Sequence, residues 1–179
     1  MQSSLDACLV AGKARGVLNE ARRFAPAFIL FLVAAACPVP AAAQKVRITN
    51  LSDVDFGLVS NLQSDALRSQ NVCLYSNGAG GLYSVTASGS GAGSAFALSN
   101  GANTLSYEVQ WSSQSGQAAG TSLTPNVAVT GQSSAATHQF CNSGPAASAS
   151  LIVILRSSAL SQAREGLYSG SLSLLIAAE

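Results

Sequence analysis

Residues 165–176 of this 179-residue chain read Glu-Gly-Leu-Tyr-Ser-Gly-Ser-Leu-Ser-Leu-Leu-Ile, and their pattern indicates the fold class. Apolar residues and glycine alternate there with serine, so the two kinds of side chain point to opposite sides of an extended chain. A period of two predicts a β-strand with one dry face and one face in water. The predicted dry face carries Tyr168, Gly170, Leu172, Leu174 and Ile176. Such a terminal strand lies next to a sheet edge, where exported β-proteins either stop pairing or recruit a partner.

The same alternation recurs inside the chain. Leu105, Tyr107, Val109 and Trp111 share one face of a strand predicted over residues 104–111. Residues 151–155 are aliphatic throughout, which is typical of a strand that is buried on both faces. About seven to nine such runs are separated by Gly, Ser and Asn, and no apolar three-four spacing predicts a helix. The sequence therefore predicts an all-β domain folded as a two-sheet sandwich.

Shorter runs complete the first half of the predicted domain. Val46 and Ile48 alternate with polar residues, and residues 54–58 alternate in the same way, which predicts two short strands or one bent strand. Residues 72–75 and 82–87 are predicted to pair as a hairpin. The turn between them is rich in Asn and Gly, which tolerate positive φ.

Residues 1–43 have the pattern of an export signal. Two arginines precede an apolar run over residues 24–36, and small residues follow, with cleavage expected between Ala43 and Gln44. The run is about 13 residues long, shorter than the roughly 20 that a membrane-spanning helix needs, so we expect no stable membrane anchor. The mature protein is then a single secreted domain over residues 44–179.

Charge and cysteine content narrow the function of that domain. Residues 44–179 carry five basic and six acidic side chains, which excludes the clustered cations that nucleic-acid recognition needs. The domain keeps two cysteines, Cys73 and Cys141, and in an oxidising compartment we expect them to form a disulfide. A metal site would need three or four ligands, and beyond these cysteines the domain offers only His138. We therefore expect neither a metal nor a cofactor.

No catalytic constellation is apparent, so we do not expect an enzyme. The single histidine has no Gly-x-Ser-x-Gly nucleophile motif to serve. Asp53 and Asp55 are close in sequence, but exposed carboxylates near a turn usually bond to water or to nearby backbone. A secreted, monomeric module that binds a ligand or a carbohydrate is an alternative function, with Tyr75 or the loop 112–120 as its contact surface.

Several motifs, in their order along the chain, resemble the spore coat protein U domain family. They are Asp-Val-Asp-Phe-Gly at 53–57, Asn-Val-Cys at 71–73, Leu-Ser-Tyr at 105–107 followed by Trp111, and Gly-Leu-Tyr-Ser-Gly-Ser-Leu-Ser-Leu at 166–174. The resemblance spans nearly all of residues 44–179. That family includes pilin subunits of archaic chaperone-usher systems in Gram-negative bacteria.

The resemblance implies an incomplete, pilin-type immunoglobulin-like sandwich that lacks one strand. It also implies a periplasmic chaperone, an outer-membrane usher and other pilus subunits as partners, and a route from the periplasm to the cell surface. A strand lent by another chain would complete the sheet, which is donor-strand complementation. On this interpretation the acceptor groove is lined or bordered by Tyr168, Leu172, Leu174 and Ile176.

Two departures from the family concern the first strand. Many relatives have a cysteine there, whereas this chain has none and must pair Cys73 with Cys141. Few residues precede the Phe56-Gly57 motif, so Val46 and Ile48 are the only candidates for a donor strand in the mature chain. We therefore expect either a terminal subunit, which accepts a strand without lending one, or a member that does not polymerise.

Overall fold

The computed structural model describes residues 43–179. The predicted export signal, including its apolar run, lies outside the described residues except for Ala43. The predicted cleavage between Ala43 and Gln44 therefore stays a prediction.

Within the described residues the chain is almost entirely β, as the alternating patterns predict. It forms ten strands, one four-residue α-helix, α1 (Ser157–Leu160), and two short 3-10 helices, Ala79–Gly81 and Ala92–Ser94. The strands are β1 (Val46–Thr49), β2 (Ala66–Ser76), β3 (Leu82–Gly89), β4 (Ala97–Ser99), β5 (Thr104–Ser106), β6 (Glu108–Ser112), β7 (Thr121–Ser122), β8 (Val129–Ser133), β9 (Ala149–Leu155) and β10 (Leu172–Ala178).

Strand order identifies the type of sandwich. One sheet has the order β1-β2-β9-β6-β7 and the other β10-β3-β8, and β4 pairs with β5 as a separate hairpin. In an immunoglobulin constant-type domain, the first, second, fifth and fourth strands form one sheet, and the third, sixth and seventh form the other. Here β1-β2-β9-β6 corresponds to the first set, while β3 and β10 correspond to the third and sixth strands. The position of the seventh strand, beside β10, is empty among the described strands.

The two sheets enclose one apolar core. The predicted face of Leu105, Tyr107, Val109 and Trp111 is buried, which confirms that alternation. Trp111 is fully buried, and its indole Nε1–H donates to the hydroxyl of Tyr83 over 3.0 Å. Burial raises the pKa of Tyr83, against a smaller opposite effect of the Trp111 hydrogen bond, so the hydroxyl stays protonated.

Strand β9 is buried along its whole length, as its aliphatic sequence predicts. Its odd-numbered side chains, such as Leu151, enter the core between the sheets. The loop 113–120 crosses its other face, where Ser150 Oγ donates to the Gln114 carbonyl over 2.9 Å and accepts from the Gln117 amide over 3.1 Å.

The predicted hairpin between β2 and β3 is wrong. The two strands belong to different sheets, and the chain crosses between the sheets over residues 77–81. Gly78 packs so closely on the last residue that a Cβ there would lie 2.3 Å from the Glu179 carbonyl oxygen. The crossing lets β3 pair with β10 over seven residues, a long-range contact that a local turn pattern does not predict.

The predicted strand or strands over residues 54–58 are also wrong. No strand is present between Asn50 and Asp65, although Val54 and Phe56 are half-buried as the alternation requires. The side chains of Val54 and Phe56 pack against the core, but no strand pairs with their backbone.

An exposed ion triad ties the start of β2 and the start of β6 to the residue that follows β9. Arg156 lies 2.7 Å from Asp65 and 2.5 Å from Glu108. The Ser157 amide, and then the Arg156 guanidinium, hold the pKa of Asp65 below its usual value, and Arg156 does the same for the pKa of Glu108. Each carboxyl is therefore more acidic in the folded chain than in the unfolded one.

We expect Tyr83→Phe to lower the free energy of unfolding by about 1–3 kcal/mol, because the buried indole N–H of Trp111 then has no acceptor. Urea unfolding monitored by tryptophan fluorescence measures this. Tyr75→Phe is the control, since Tyr75 is only half-buried and its hydroxyl makes no hydrogen bond to the described residues. Equal losses in the two variants would contradict the role given to the Trp111–Tyr83 bond.

The ion triad of Arg156, Asp65 and Glu108 should make the free energy of unfolding depend on pH. Its contribution is complete above the ordinary pKa values of 3.8 and 4.5 and is lost as the pH falls below them, because both pKa values are lowered by folding. Arg156→Met should therefore reduce the difference between the urea midpoints at pH 7 and pH 3. Arg164→Met removes the same charge outside the triad and should leave that difference unchanged; an equal effect of both variants would assign it to net charge.

Candidate functional site

Strand β10 is paired on one side only. It aligns with β3 from Leu172 opposite Gly89 to Ala178 opposite Tyr83. The Glu179 amide continues this register by donating to the Leu82 carbonyl over 3.1 Å, so the odd-numbered residues make the bonds to β3. The N–H and C=O groups of Leu172, Leu174 and Ile176 therefore point to the other side, where no described strand pairs with them.

Residues 51–57, which we call the free wall, stand on the other side of this opening. The free wall makes no backbone–backbone hydrogen bond within the described chain. It begins after Asn50, which has a φ of 66°, and ends at Gly57, which has a φ of 61°. Its side chains share the lining of one cavity with Leu172 and Leu174 of β10.

An apolar floor joins the two sides into one groove. Leu151, Val153 and Leu155 of β9 form the floor, and Tyr107 lies beside them. Burial raises the pKa of Tyr107, which keeps its hydroxyl neutral. The groove has two cavities of about 450 and 500 Å³. Both are lined by Val54, Phe56, Leu98, Leu155 and Gly170, so they are adjacent.

Large apolar side chains are exposed where the groove opens. Leu58 is 94% exposed and Leu167 is 89% exposed, and both line the second cavity. An aliphatic side chain of this size gains roughly 1.5–3 kcal/mol when it is fully buried, so this end of the groove favours an apolar partner.

The residues predicted for the subunit interface fall into two groups. Leu172 and Leu174 line the first cavity, Tyr168 lines the second, and Ile176 lies further along the inward face of β10. Val46 and Ile48, predicted as donor residues, instead lie in β1, paired with β2 and packed on the chain's own core. The assignment of all six to a subunit interface stays a prediction.

The side of the groove opposite β10 was not predicted from the sequence. Val54, Phe56 and Leu58 were predicted to form part of a strand, and neither Leu98 nor Leu167 was predicted to line a groove. An available signal was the spacing of large apolar residues on both sides of Gly57, a residue that breaks regular pairing.

The predicted disulfide between Cys73 and Cys141 is confirmed. The Cα atoms are 5.9 Å apart, and the bond fixes the loop 134–148 to the outer face of β2. Next to it, the Arg47 guanidinium lies 3.9 Å from the ring centre of Phe140. The loop 134–148 is therefore held against β1 by the Arg47–Phe140 contact and against β2 by the disulfide.

The residues considered for catalysis or ligand binding are dispersed. Within residues 43–179, no three His, Cys, Asp or Glu side chains lie close enough together to hold a metal ion. Asp55 accepts the Gly57 amide over 2.7 Å, and His138 lies 3.4 Å from the Thr137 hydroxyl. Tyr75 packs against the disulfide, and the loop 112–120 is bonded to the sheet beneath it. The same residues contain no helix long and apolar enough to cross a bilayer.

Comparison with known proteins gives weak structural likeness to solved structures. No protein-family model and no curated protein matches the chain. A similar solved structure is a chain from a chaperone–tip adhesin complex described as vital for synergistic activation of CFA/I fimbriae biogenesis. The sequence identity is 11% and the TM-score 0.48, over 76% of this chain and 41% of that chain. The present chain thus spans less than half of that chain's length, and the immunoglobulin-like arrangement follows from its own strand order.

Removing the disulfide as Cys73→Ala with Cys141→Ala should lower the free energy of unfolding by about 4 kcal/mol, the chain-entropy value for cysteines 68 residues apart. Urea unfolding with and without reductant measures this. The reductant should destabilise the native protein and leave the double variant unchanged. A double variant as stable as the oxidised protein would contradict the expectation.

Proposed function

We propose that this chain is an exported structural or adhesive subunit of a chaperone-usher surface pilus, assembled by donor-strand complementation. One observation carries the proposal: β10 presents unpaired backbone to an apolar groove whose other side, the free wall, has no strand beside it. An exposed sheet edge recruits an extended segment because each unpaired N–H and C=O finds a partner on the incoming strand.

The groove suits a strand better than a compact ligand. The unpaired groups of Leu172, Leu174 and Ile176 repeat along β10, and an extended peptide repeats its own donors and acceptors at the same spacing of about 3.3 Å per residue. Alternate side chains of such a peptide would point down to Leu151, Val153 and Leu155. The occupant is therefore an extended segment of another chain with apolar residues at every second position.

The resemblance to the spore coat protein U family supports the finer parts of the proposal. It suggests a periplasmic chaperone, an outer-membrane usher and neighbouring subunits as partners, and a final location at the cell surface. The engagement of Val46 and Ile48 within β1 supports a subunit that receives a strand without lending these residues. Such a subunit would occupy the end of a pilus or remain unpolymerised.

A synthetic strand tests the open groove. We expect a ten-residue peptide of alternating valine and threonine to raise the melting temperature by roughly 5–11 °C at 100 times its Kd, since it binds the folded chain only. A peptide of the same composition with its valines grouped is the control and should have little effect. No stabilisation by the alternating peptide would contradict the proposed function.

Two neighbouring leucines test whether the peptide binds in the groove. Leu174 faces the groove, whereas Leu175 faces outward and is 68% exposed. Leu174→Lys should weaken peptide binding about tenfold or more, a difference of about 1.4 kcal/mol or more, because it places a charge in the apolar groove. Leu175→Lys should leave the affinity unchanged. Isothermal titration measures both, and equal effects would move the binding surface away from the groove.

A further inference from the structure

The ladder between β1 and β2 stops abruptly at Thr49. Its register aligns Ile48 with Leu74 and, if continued, would place Ser52 opposite Gln70. The Lys45 carbonyl accepts the Asn77 amide over 3.0 Å in this register, so the odd-numbered residues carry the bonds. A continued ladder would therefore bond the amides of residues 51, 53 and 55 to β2. Those bonds are absent, although β2 extends far enough to make them.

Gln70 fills the first part of the gap with its side chain. Its Oε1 accepts the Ser52 amide and the Ser52 hydroxyl, each over 3.0 Å, and its Nε2 donates to the Ser52 carbonyl over 3.2 Å. One amide side chain thus satisfies both backbone groups of a residue that the continued ladder would leave unbonded to β2. The side chain takes the place of the direct backbone–backbone bonds of paired strands.

Arg68 fills the second part of the gap. Its Nη1 donates to the Leu67 carbonyl on β2 itself over 3.1 Å. Its Nε and Nη2 donate to the carbonyls of Asp55 and Phe56 over 3.0 and 3.2 Å, and its guanidinium lies 5.6 Å from the Phe56 ring centre. The guanidinium therefore bonds both sides of the interrupted ladder at once.

We propose that Arg68 and Gln70 are positioning residues that hold the free wall away from β2 and so keep the groove open for an incoming strand. This inference rests on the proposed function for the identity of the occupant. The inward face of β2 changes from Val72 and Leu74 to these two polar side chains at the point where β1 ends. Without them, the free wall satisfies its backbone most directly by extending the β1–β2 ladder, which withdraws one side of the groove.

Hydrogen exchange on the naturally processed protein tests directly whether Arg68 and Gln70 keep the free wall from pairing with β2. In the native chain the amides of Leu51, Asp53 and Asp55 should exchange rapidly. In the Arg68→Val, Gln70→Val double variant they should become protected without any peptide, because the ladder bonds them to β2. Ser69→Val, on the opposite face of the same strand, controls for added strand propensity and should leave their exchange rapid.

Peptide affinity tests the consequence for the groove. We expect the double variant to bind the alternating valine–threonine peptide about tenfold more weakly, the factor for about nine tenths of molecules having a closed ladder. Arg68→Lys keeps a donor in the gap and should retain most of the affinity that Arg68→Val loses. If the double variant fails to fold, Gln70→Val alone should protect the Leu51 amide.

The two proposals fail in different ways. Rapid exchange of residues 51–55 in the folded double variant or in folded Gln70→Val would overturn the positioning role, whether or not the peptide binds. Unchanged affinity alongside new protection would also overturn it, by showing that the free wall is not part of the acceptor. Failure of the native chain to bind the peptide would overturn the proposed function, while the exchange result still decides the positioning role.

Discussion

Hydrogen bonds to β3 satisfy half of the β10 backbone, and the other half faces a groove whose floor is apolar. At an ordinary sheet edge water satisfies such groups at little cost. Here the same water also touches the half-buried apolar side chains that line the groove, including Val54, Leu172 and Leu174. A strand that fills the groove removes both penalties together, since its backbone pairs with the edge while its side chains cover this apolar lining.

The remainder of the sandwich is joined by contacts that do not depend on the groove. The Cys73–Cys141 bond fixes the loop 134–148 to β2, and the Trp111–Tyr83 hydrogen bond joins the two sheets across the core. The Arg156 triad connects Asp65, which precedes β2, and Glu108, which begins β6, to the residue that follows β9. These links explain how one strand position can be empty in a sheet whose other strands stay paired.

Only one side of the groove was predictable from the sequence. Leu172 and Leu174 were identified because their alternation runs unbroken in a strand that is paired on one side. Val54 and Phe56 alternate equally well and are half-buried, yet they belong to no strand, because alternation reports which face a side chain occupies and not whether a backbone partner exists. Arg68 and Gln70 are polar residues at positions in phase with the core residues Val72 and Leu74, a pattern that is visible in the sequence. Their role could not be predicted, because it depends on which residues lie opposite them in the folded chain.

Local periodicity and residue chemistry were enough to infer the all-β class, the buried face of residues 104–111, the fully buried β9 and the pairing of the two cysteines. Long-range packing was needed to establish that β2 and β3 separate into different sheets, that β3 pairs with β10, and that residues 51–57 leave β2 to form one side of a groove. Each of those outcomes depends on hydrogen bonds between residues far apart in the chain. Which strand such bonds join is settled by the packing of the whole sandwich and not by any single segment.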